Sequence, residues 1–309
     1  MKTYLVTGGR GNIGSFIVEE LLKEDDTEKI IVVDNMSNPY GKTFDDKRVI
    51  YYPMDISDYV TLRYIYQEEK PKYVFHEASM MIQDSEKLPN RCFEVNIRGS
   101  WNVVLLNNEF NIKKMVFAST TSIHGEPIYL PVDEKHPISR ENNFLYVISK
   151  VTMEYMMSWQ QVKFDWIGLR YYNVYSERMN KNALYTQVIR IFIDQIKNNQ
   201  PVTIYGDGEA TMDFTHAYDI ARANLMVMNS SYTNEYFNTG TTIETSVNKL
   251  VDILYRLMNK EKNVKYIEKD EQKIKRRCGD ISKIKEKLGW EPTLTLEEGL
   301  SDVISKIKE

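Results

Sequence analysis

Short runs rich in valine and isoleucine alternate with longer segments of helical spacing through the first half of the chain. The short runs predict strands, and the longer segments predict amphipathic helices. Several runs are apolar on both faces, as in parallel strands buried between two layers of helices. We predict strands at Lys2–Val6, Lys29–Asp34, Arg48–Tyr51, Tyr73–His76, Lys114–Ala118 and Trp166–Arg170, and helices at Asn12–Lys23, Tyr59–Glu68, Arg91–Phe110 and Asn143–Val162.

This alternation of strand and helix predicts an α/β protein with a doubly wound parallel sheet of the Rossmann type. Beyond Tyr172 the alternation becomes irregular, which predicts a smaller, mixed α/β lobe. We therefore divide the chain into residues 1–172 and 173–309, with a chain that can cross between the two parts. The second part is predicted to contain helices at Leu184–Asn198, Tyr218–Met228, Ser246–Met258 and Leu296–Lys308 and strands at Pro201–Tyr205 and Tyr236–Thr239.

The composition excludes several classes of protein. Of 309 residues, 42% are apolar and 27% are charged, which is close to the globular average and excludes a fibrous or wholly disordered chain. The net charge of −4 gives no general attraction to nucleic acid or anionic lipid, and no apolar run nears the roughly 18 residues of a membrane span. Cys92 and Cys278 form neither a disulfide framework nor a metal-ligand pattern, so we expect no metal. Because the N-terminus also lacks a secretion signal, we expect a cytoplasmic protein.

A glycine-rich turn joins the first strand to the first helix. Gly8, Gly11 and Gly14 are spaced by three, with Asn12 and Ile13 between the last two. Such glycines allow a tight turn and a close approach of the backbone to a pyrophosphate, which then meets the amino end of the helix. The glycines alone would also suit an ordinary turn between a strand and a helix.

The acidic residue that ends the second strand favours a nucleotide at this turn. Asp34 follows the glycines by about 20 residues, the spacing at which a carboxylate accepts both hydroxyls of an adenosine ribose. The same charge would repel the 2′-phosphate of NADP, so we predict that residues 1–172 bind NAD. Arg10 is the nearby cation that could instead face such a phosphate.

A tyrosine and a lysine four residues apart are candidates for acid–base chemistry. Tyr146 and Lys150 lie in a predicted helix, where this spacing places them on one face. A nearby ammonium favours the phenolate and lowers the tyrosine pKa from its usual value of roughly 10. The phenolate could then take a proton from a substrate hydroxyl. On its own the pair would also suit a helix surface.

A hydroxyl group follows the predicted strand Lys114–Ala118. Thr120 lies where ligands of open α/β sheets bind, and it could donate a hydrogen bond to the reacting oxygen. The alternative is a polar loop whose hydroxyls bond their own backbone. The neighbouring motifs favour the catalytic interpretation.

These motifs, together with five further segments, resemble the extended short-chain dehydrogenase/reductase family, within it the NAD-dependent nucleotide-sugar epimerase/dehydratase group. The resemblance covers nearly the whole chain and includes residues 76–79 (HEAS), 95–99 (VNIRG), 169–176 (LRYYNVYS), 204–214 (IYGDGEATMDF) and 288–292 (LGWEP). It implies that residues 173–309 bind a nucleotide-diphosphate sugar.

The resemblance implies roles for individual residues. Thr120, Tyr146 and Lys150 match the catalytic trio. Asp55 and Ile56 match adenine contacts, and Ala78 and Asn96 match groups near the centre of the cofactor. The predicted substrate-binding residues are Thr120, Asn173, Arg178, Tyr205 and Arg277.

The implied chemistry is a transient oxidation in which Tyr146 takes the proton of the sugar O4 while the C4 hydride moves to NAD. An epimerase returns the hydride to the other face of the sugar, whereas a dehydrogenase releases a 4-keto sugar and NADH. We predict a 4-epimerase, with the 4-dehydrogenase as the alternative. A cofactor-binding sensor without catalysis is disfavoured by the intact trio.

Several departures from the family pattern narrow the prediction. The acidic pair that dehydratases carry after the threonine is replaced by Thr121 and Ser122, which disfavours elimination. Met212 replaces a phosphate-binding arginine, and Arg277, Arg276 or Arg178 could take over that role. His124 replaces a tyrosine of the family pattern. It could be an additional acid–base group, but we interpret it as a loop histidine with a structural partner.

The family resemblance also implies a homodimer formed through the helix that carries Tyr146 and the helix before it. Met153, Met156, Met157 and Trp159 suit such an interface, and they suit a protein core equally well.

Overall fold

The computed structural model describes residues 1–38, 41–141, 144–180, 188–268 and 275–307. The strands are β1 (Lys2–Thr7), β2 (Thr27–Asp34), β3 (Val49–Pro53), β4 (Tyr73–His76), β5 (Lys114–Thr120), β6 (Asp165–Tyr171), β7 (Asn173–Tyr175), β8 (Val202–Tyr205), β9 (Thr211–Met212), β10 (Phe214–His216), β11 (Glu235–Thr239), β12 (Thr245–Ser246) and β13 (Val264–Ile267). The α-helices are α1 (Gly14–Leu21), α2 (Tyr59–Glu69), α3 (Ile82–Lys87), α4 (Pro89–Cys92), α5 (Ser100–Glu109), α6 (Leu145–Met157), α7 (Val188–Lys197), α8 (Ala217–Asn229), α9 (Val247–Leu257), α10 (Ser282–Leu288) and α11 (Leu296–Lys306).

Seven strands form the central sheet in the order β11-β6-β5-β4-β1-β2-β3, and every neighbouring pair is parallel. The strand order reverses at β1, which is the property that defines a doubly wound sheet. The predicted α/β fold class is therefore confirmed. Among the described residues, no helix has the length and apolar character of a membrane span.

Helices cover both faces of this sheet. On one face α1 and α8 bury Phe16, Ile17 and Ile220 against the strands. On the other face α2, α5 and α6 bury Leu62, Val103 and Met153, among others. These two apolar layers explain why the predicted strands are hydrophobic on both sides.

The second half of the chain contributes to both lobes. The strand β11 completes the central sheet beside β6, and α8 packs on α1. A separate apolar core lies between α7, α9 and α11 and includes Ile193, Leu250 and Leu300. A single boundary at residue 172 therefore does not describe the sheet, because the chain returns to it after entering the second lobe.

Two predicted helices differ from the observed ones. The segment predicted as one helix at Arg91–Phe110 contains a π-helical stretch, Phe93–Gly99, between α4 and α5. The helix predicted at Asn143–Val162 begins at Leu145 and ends at Met157. Asn143, residues 184–187 of the helix predicted at Leu184–Asn198, and Lys308 lie outside the described residues.

Side-chain caps mark the starts of α2 and α11, which begin at Tyr59 and Leu296 as the sequence pattern predicts. Asp58 accepts a hydrogen bond from the backbone N–H of Thr61 at 3.1 Å and begins α2. Thr295 and Glu298 form a reciprocal capping box at the start of α11. Each such cap satisfies backbone donors that have no partner within the helix.

A buried ion pair ties α6 to the sheet. The guanidinium of Arg170 on β6 donates to both carboxylate oxygens of Glu154 on α6, at 3.1 and 2.9 Å. The hydroxyl of Ser119 on β5 donates to the same carboxylate at 2.6 Å. Both charged side chains are almost fully enclosed, so neither can exchange its partner for water.

Replacing Arg170 with Met is expected to lower the free energy of unfolding by about 3–5 kcal/mol, because Glu154 is left buried without its counter-charge. Urea unfolding followed by circular dichroism measures the loss. The double variant Arg170→Met with Glu154→Gln should recover part of it. An equal loss in the single and double variants would show that packing, and not the unpaired charge, is responsible.

Candidate active site

A cavity of about 600 Å³ opens at the carboxyl edge of the central sheet. The loops that follow β1, β2, β4, β5 and β6 all contribute to its wall. Among the residues predicted from the sequence, those in the wall are Gly8, Gly11, Asn12, Ile13, Gly14, Asp34, Asp55, Ile56, Ala78, Thr120, Tyr146, Lys150, Asn173 and Arg277.

The glycine turn forms one end of the cavity, and it requires the absence of side chains. A Cβ atom on Gly14 would lie 2.2 Å from the carbonyl oxygen of Gly8. Gly8 has a φ angle of +67°, and a Cβ atom there would lie 2.8 Å from the backbone nitrogen of Ala78. The bare backbone of this turn leaves room for a diphosphate at the amino end of α1.

Asp34 is held in place beside this turn by two backbone donors. Its carboxylate accepts hydrogen bonds from the N–H of Arg10 at 2.9 Å and of Met36 at 2.8 Å. The guanidinium of Arg10 donates instead to Gly41 and Met36. Each carboxylate oxygen retains a lone pair, so the group can accept ribose hydroxyls.

The loop after β3 contributes Asp55 and Ile56 to the same wall. Asp55 accepts hydrogen bonds from the Ser57 N–H at 2.9 Å and the Asn35 amide at 3.2 Å, and it pairs with Arg91. Burial alone would raise the pKa of Asp55, but these donors and the guanidinium outweigh it and hold the pKa below its usual value.

Tyr146 and Lys150 lie together on the inner face of α6. Both side chains are more than nine-tenths buried, and the Lys150 Nζ lies 5.7 Å from the centre of the Tyr146 ring. The same Nζ donates a hydrogen bond to the carbonyl of Ala118 at 3.0 Å. Burial lowers the pKa of Lys150, and the carboxylate of Glu77 opposes that effect. The Lys150 side chain thus lies beside the phenol, on the same helix face, as the helical spacing predicted.

Thr120 ends β5 at the wall of the cavity. Its hydroxyl oxygen accepts a hydrogen bond from the Ser122 N–H at 3.2 Å and caps a single 3-10 turn. The local backbone contact expected as the alternative therefore exists. It uses only the acceptor, so the hydroxyl proton can still be donated to a ligand.

Asn96 is buried behind the wall, and it does not line the cavity. Its side-chain amide pairs with both backbone groups of Met80, at 2.7 and 3.0 Å, and donates to the Ser149 hydroxyl at 3.1 Å. Asn96 lies in the π-helical stretch and thereby joins the loop after β4 to α6. The structure favours a supporting role over a direct contact with the cofactor.

Of the three arginines proposed for the phosphate, Arg178, Arg276 and Arg277, the structure brings Arg277 to the cavity. One of its terminal nitrogens lies 3.4 Å from the Ser122 hydroxyl, two residues from Thr120. Arg276 points elsewhere and pairs with Glu244 at 2.6 Å. Lys273 and Ile274 of the same basic stretch lie outside the described residues.

Two predicted substrate-binding residues do not lie in this wall. The guanidinium of Arg178 stacks 3.7 Å from the centre of the Phe16 ring and pairs with Glu19, so it fastens the second lobe to α1. Tyr205 is 55% exposed at the end of β8. We therefore assign neither residue to the site. The sequence pattern could not show that Arg178 contacts residues of another helix.

His124 is buried next to His136 and does not line the cavity. Its Nδ1 lies 3.1 Å from the Pro137 carbonyl and 3.2 Å from the Nδ1 of His136. Burial lowers the pKa of His124 to about 4, so the ring is neutral near pH 7. These contacts favour the loop histidine with a structural partner over an additional acid–base group.

Glu77 is a wall residue to which the sequence analysis assigned no role, although it lies in the segment 76–79 (HEAS). It follows β4 directly, and its carboxylate accepts a hydrogen bond from the Tyr171 hydroxyl at 2.9 Å. Met80, Met81 and Arg91 also line the cavity. The position of Glu77 at the carboxyl end of a strand was the available signal, because such positions face the ligand in this fold.

A cluster of possible metal ligands lies outside the cavity, where Glu177, His216 and Asp302 bring their polar atoms within 4.8 Å of one another. The Nδ1 of His216 accepts a hydrogen bond from the Tyr218 N–H at 3.2 Å. In the neutral ring the proton is then on Nε2, which has no lone pair for a cation. Asp302 is paired with Lys306 at 2.7 Å. This geometry does not favour a metal.

The bare glycine turn and the carboxylate of Asp34 fit a dinucleotide, and Tyr146 with Lys150 supplies an acid–base pair in the same cavity. Together with the doubly wound sheet, these features define a dinucleotide-dependent enzyme.

Comparisons with known proteins agree with this class. Residues 4–240 match the family described as NAD dependent epimerase/dehydratase. A putative UDP-glucose 4-epimerase of Methanocaldococcus jannaschii is 36% identical over 307 residues, which cover 98% of each protein. A UDP-glucuronate 4-epimerase of Thermodesulfobacterium geofontis is 30% identical over 325 residues, which cover 100% of this chain and 97% of the relative.

Solved structures give the same result. A UDP-glucose 4-epimerase from Thermotoga maritima, solved with UDP-glucose, has a TM-score of 0.90 and 32% identity, covering 98% of this chain and 97% of that one. A UDP-glucose 4-epimerase from Thermus thermophilus, solved with NAD, has a TM-score of 0.88 and 28% identity, covering 99% and 98%. The chain belongs to the NAD dependent epimerase/dehydratase family, as the sequence motifs predicted.

Replacing Asp34 with Ser should weaken NAD binding by about 1.5–3 kcal/mol, because a charged acceptor of the ribose hydroxyls is lost. The affinity for NADP should fall less or rise, since the carboxylate no longer repels the 2′-phosphate. Isothermal titration calorimetry with both dinucleotides measures the ratio. The exposed Asp45→Ser is the control, and an unchanged ratio for Asp34→Ser would contradict the assignment.

Proposed function

We propose that this protein is an NAD-dependent 4-epimerase of a UDP-linked hexose. The observation that carries the proposal is that Thr120, Tyr146 and Lys150 line the same cavity as the glycine turn. The relatives named as UDP-glucose 4-epimerases, and the solved epimerase with UDP-glucose, support the substrate class.

NAD, when bound, supplies the acceptor that takes a hydride from the sugar C4 and gives it back. The chain supplies the proton chemistry at the neighbouring oxygen. Tyr146, as the phenolate, takes the proton of the O4 hydroxyl, and the ammonium of Lys150 favours that phenolate. Thr120 donates a hydrogen bond to the same oxygen and so orients it toward the phenolate.

The side chains next to Thr120 favour epimerisation over elimination. Removal of water from the sugar needs an acid and a base close to C5 and C6. Thr121 and Ser122 hold the two positions that follow Thr120, and both line the cavity with hydroxyl groups. Hydroxyls are poor acids and bases near pH 7, so the sugar keeps its carbon–oxygen bonds.

Arg277 is proposed as the residue that binds the diphosphate of the substrate. Met212, at the position where relatives carry an arginine, has an apolar side chain packed on the second-lobe core. Arg277 lines the cavity beside Ser122 and presents the planar donor set that suits phosphate oxygens.

A homodimer formed through α5 and α6 is also proposed. Ile148, Tyr155 and Trp159 are 44%, 67% and 41% exposed, and the Trp159 ring lies 5.2 Å from that of Trp101 on α5. Aromatic side chains exposed together on one face are typical of protein interfaces. Met153 and Met157 belong to the core of the chain and do not contribute to this face.

The predicted cytoplasmic setting is retained as part of the proposal. Cys92 and Cys278 are free, buried thiols, which suits a reducing compartment.

Replacing Tyr146 with Phe should lower kcat by about 10²–10⁴-fold while NAD binding is retained, because the proton acceptor is removed and the fold is not. NMR of the sugar after incubation with UDP-glucose or UDP-galactose measures the change at C4. Tyr155→Phe, on the exposed face of the same helix, is the control. Undiminished turnover in Tyr146→Phe would contradict the mechanism, and stoichiometric NADH during wild-type turnover would indicate the 4-dehydrogenase.

Replacing Tyr155 with Glu should shift the protein from dimer to monomer, because a charge in an apolar interface is buried without a partner. Light scattering after size-exclusion chromatography measures the mass. Tyr64→Glu, at an equally exposed tyrosine of α2, should leave the dimer intact. A monomeric wild-type protein would disprove the proposed interface.

A further inference from the structure

A carboxylate lies close to the catalytic lysine without being part of the proposed mechanism. In the central sheet His76 of β4 pairs with Phe117 of β5, so Glu77 emerges opposite Ala118. The carbonyl of Ala118 accepts the hydrogen bond from the Lys150 ammonium. The strand register therefore brings the Glu77 side chain and Lys150 to the same part of the cavity wall.

The Glu77 carboxylate is held there by a chain of hydrogen bonds. The hydroxyl of Tyr171 on β6 donates to it at 2.9 Å, and the amide of Asn224 on α8 donates to that hydroxyl at 2.8 Å. The backbone N–H of Glu77 donates to the Thr7 carbonyl at 3.1 Å. Contacts from β6, α8 and β1 thus hold the Glu77 carboxylate in the wall of the cavity.

Three titratable groups next to this pair, His76, Tyr171 and Cys92, are neutral near pH 7. His76 on β4 is fully buried between Thr7 and Ser100, and burial lowers its pKa to about 3. Burial raises the pKa of Tyr171 on β6 and of Cys92 on α4. On the α3 side of the catalytic phenol, the exposed carboxylate of Glu86 accepts a hydrogen bond from the Leu145 N–H at 2.8 Å. Glu77 and Lys150 form the buried pair, because burial raises the pKa of Glu77 to about 7 and lowers the pKa of Lys150 to about 8.

We propose that Glu77 is a positioning residue that keeps Lys150 in the ammonium form and thereby sets the pH range over which Tyr146 works. The proposal rests on the proposed function, since it concerns the acid–base pair of that reaction. Glu77 acts through its charge on Lys150 and on the neighbouring Tyr146, and it needs no contact with the sugar.

The charges explain how this works. Burial raises the pKa of Glu77 and lowers the pKa of Lys150, and each charge opposes the effect of burial on the other. Without the carboxylate, Lys150 loses its proton at a lower pH. Tyr146 also ionises at a lower pH, because a negative charge near its phenolate has been removed. Both limits of activity therefore move in the same direction.

The test is the pH dependence of kcat for the NAD-loaded variant Glu77→Gln, which keeps the shape of the side chain and removes its charge. The acid and the alkaline pH limits of kcat should both move to lower pH by about one unit, which is the expected effect of removing one nearby charge. In the loaded protein without sugar, the absorbance of tyrosinate, taken as the difference from Tyr146→Phe, should show ionisation of Tyr146 shifted the same way.

The control is Glu134→Gln, since Glu134 is a partly buried carboxylate that bonds the Asn238 N–H and does not line the cavity. It should move neither limit. If Glu77→Gln does not fold, Tyr171→Phe is used instead. It removes the hydrogen bond that favours the charged form of Glu77, so both pH limits should move in the same direction by a smaller amount. A Glu77→Gln protein with a lower rate but unmoved limits and unmoved Tyr146 ionisation would overturn the inference. A shifted ionisation with no turnover of any nucleotide sugar would support it and refute the proposed function instead.

Discussion

The bond from the Lys150 ammonium to the Ala118 carbonyl is the contact on which the site depends. It joins the helix that carries the phenol to strand β5 of the central sheet, near the carboxyl end of that strand, at 3.0 Å. A lysine buried this deeply is stable as a cation only where its charge has partners. The carbonyl and the nearby Glu77 carboxylate provide them, so the position of α6 relative to the sheet and the charge beside Tyr146 are determined together.

The remaining contacts of α6 maintain that position. One turn beyond Lys150, Glu154 is held by Arg170 and Ser119 from two neighbouring strands. On the other side, the π-helical stretch turns Asn96 toward Ser149 and the loop after β4. A π-helical stretch has more residues per turn than an α-helix, so its side chains point in different directions. The stretch Phe93–Gly99 thereby directs Asn96 toward Ser149. The active-site helix is thus supported on both sides by polar groups that are fully paired.

The fold and most of the cavity wall were predictable because their signals are local. Apolar runs of strand length, the glycine spacing and the tyrosine–lysine spacing each depend on a few neighbouring residues. Arg178 and Tyr205 were not predictable in the same way. Arg178 contacts Phe16 and Glu19, which lie on a helix more than 150 residues earlier in the chain. A local sequence pattern cannot predict that these distant residues, and not a ligand, bind its guanidinium. The chain was expected to cross between the two parts, but only the tertiary structure shows that β11 returns to the central sheet to pair with β6.

The sequence by itself determined which chemical groups are available and which elements carry them, since hydrophobic period, turn glycines and helical spacing follow from short-range sterics. Only the tertiary structure decided which of those groups share one cavity and how they are charged there. It placed Arg277, and not Arg276 or Arg178, beside Thr120, enclosed His124 with His136, and set Glu77 opposite Ala118. The distances between side chains and the exclusion of water are set only when the layers pack. These two quantities determine how strongly the charges in the site interact.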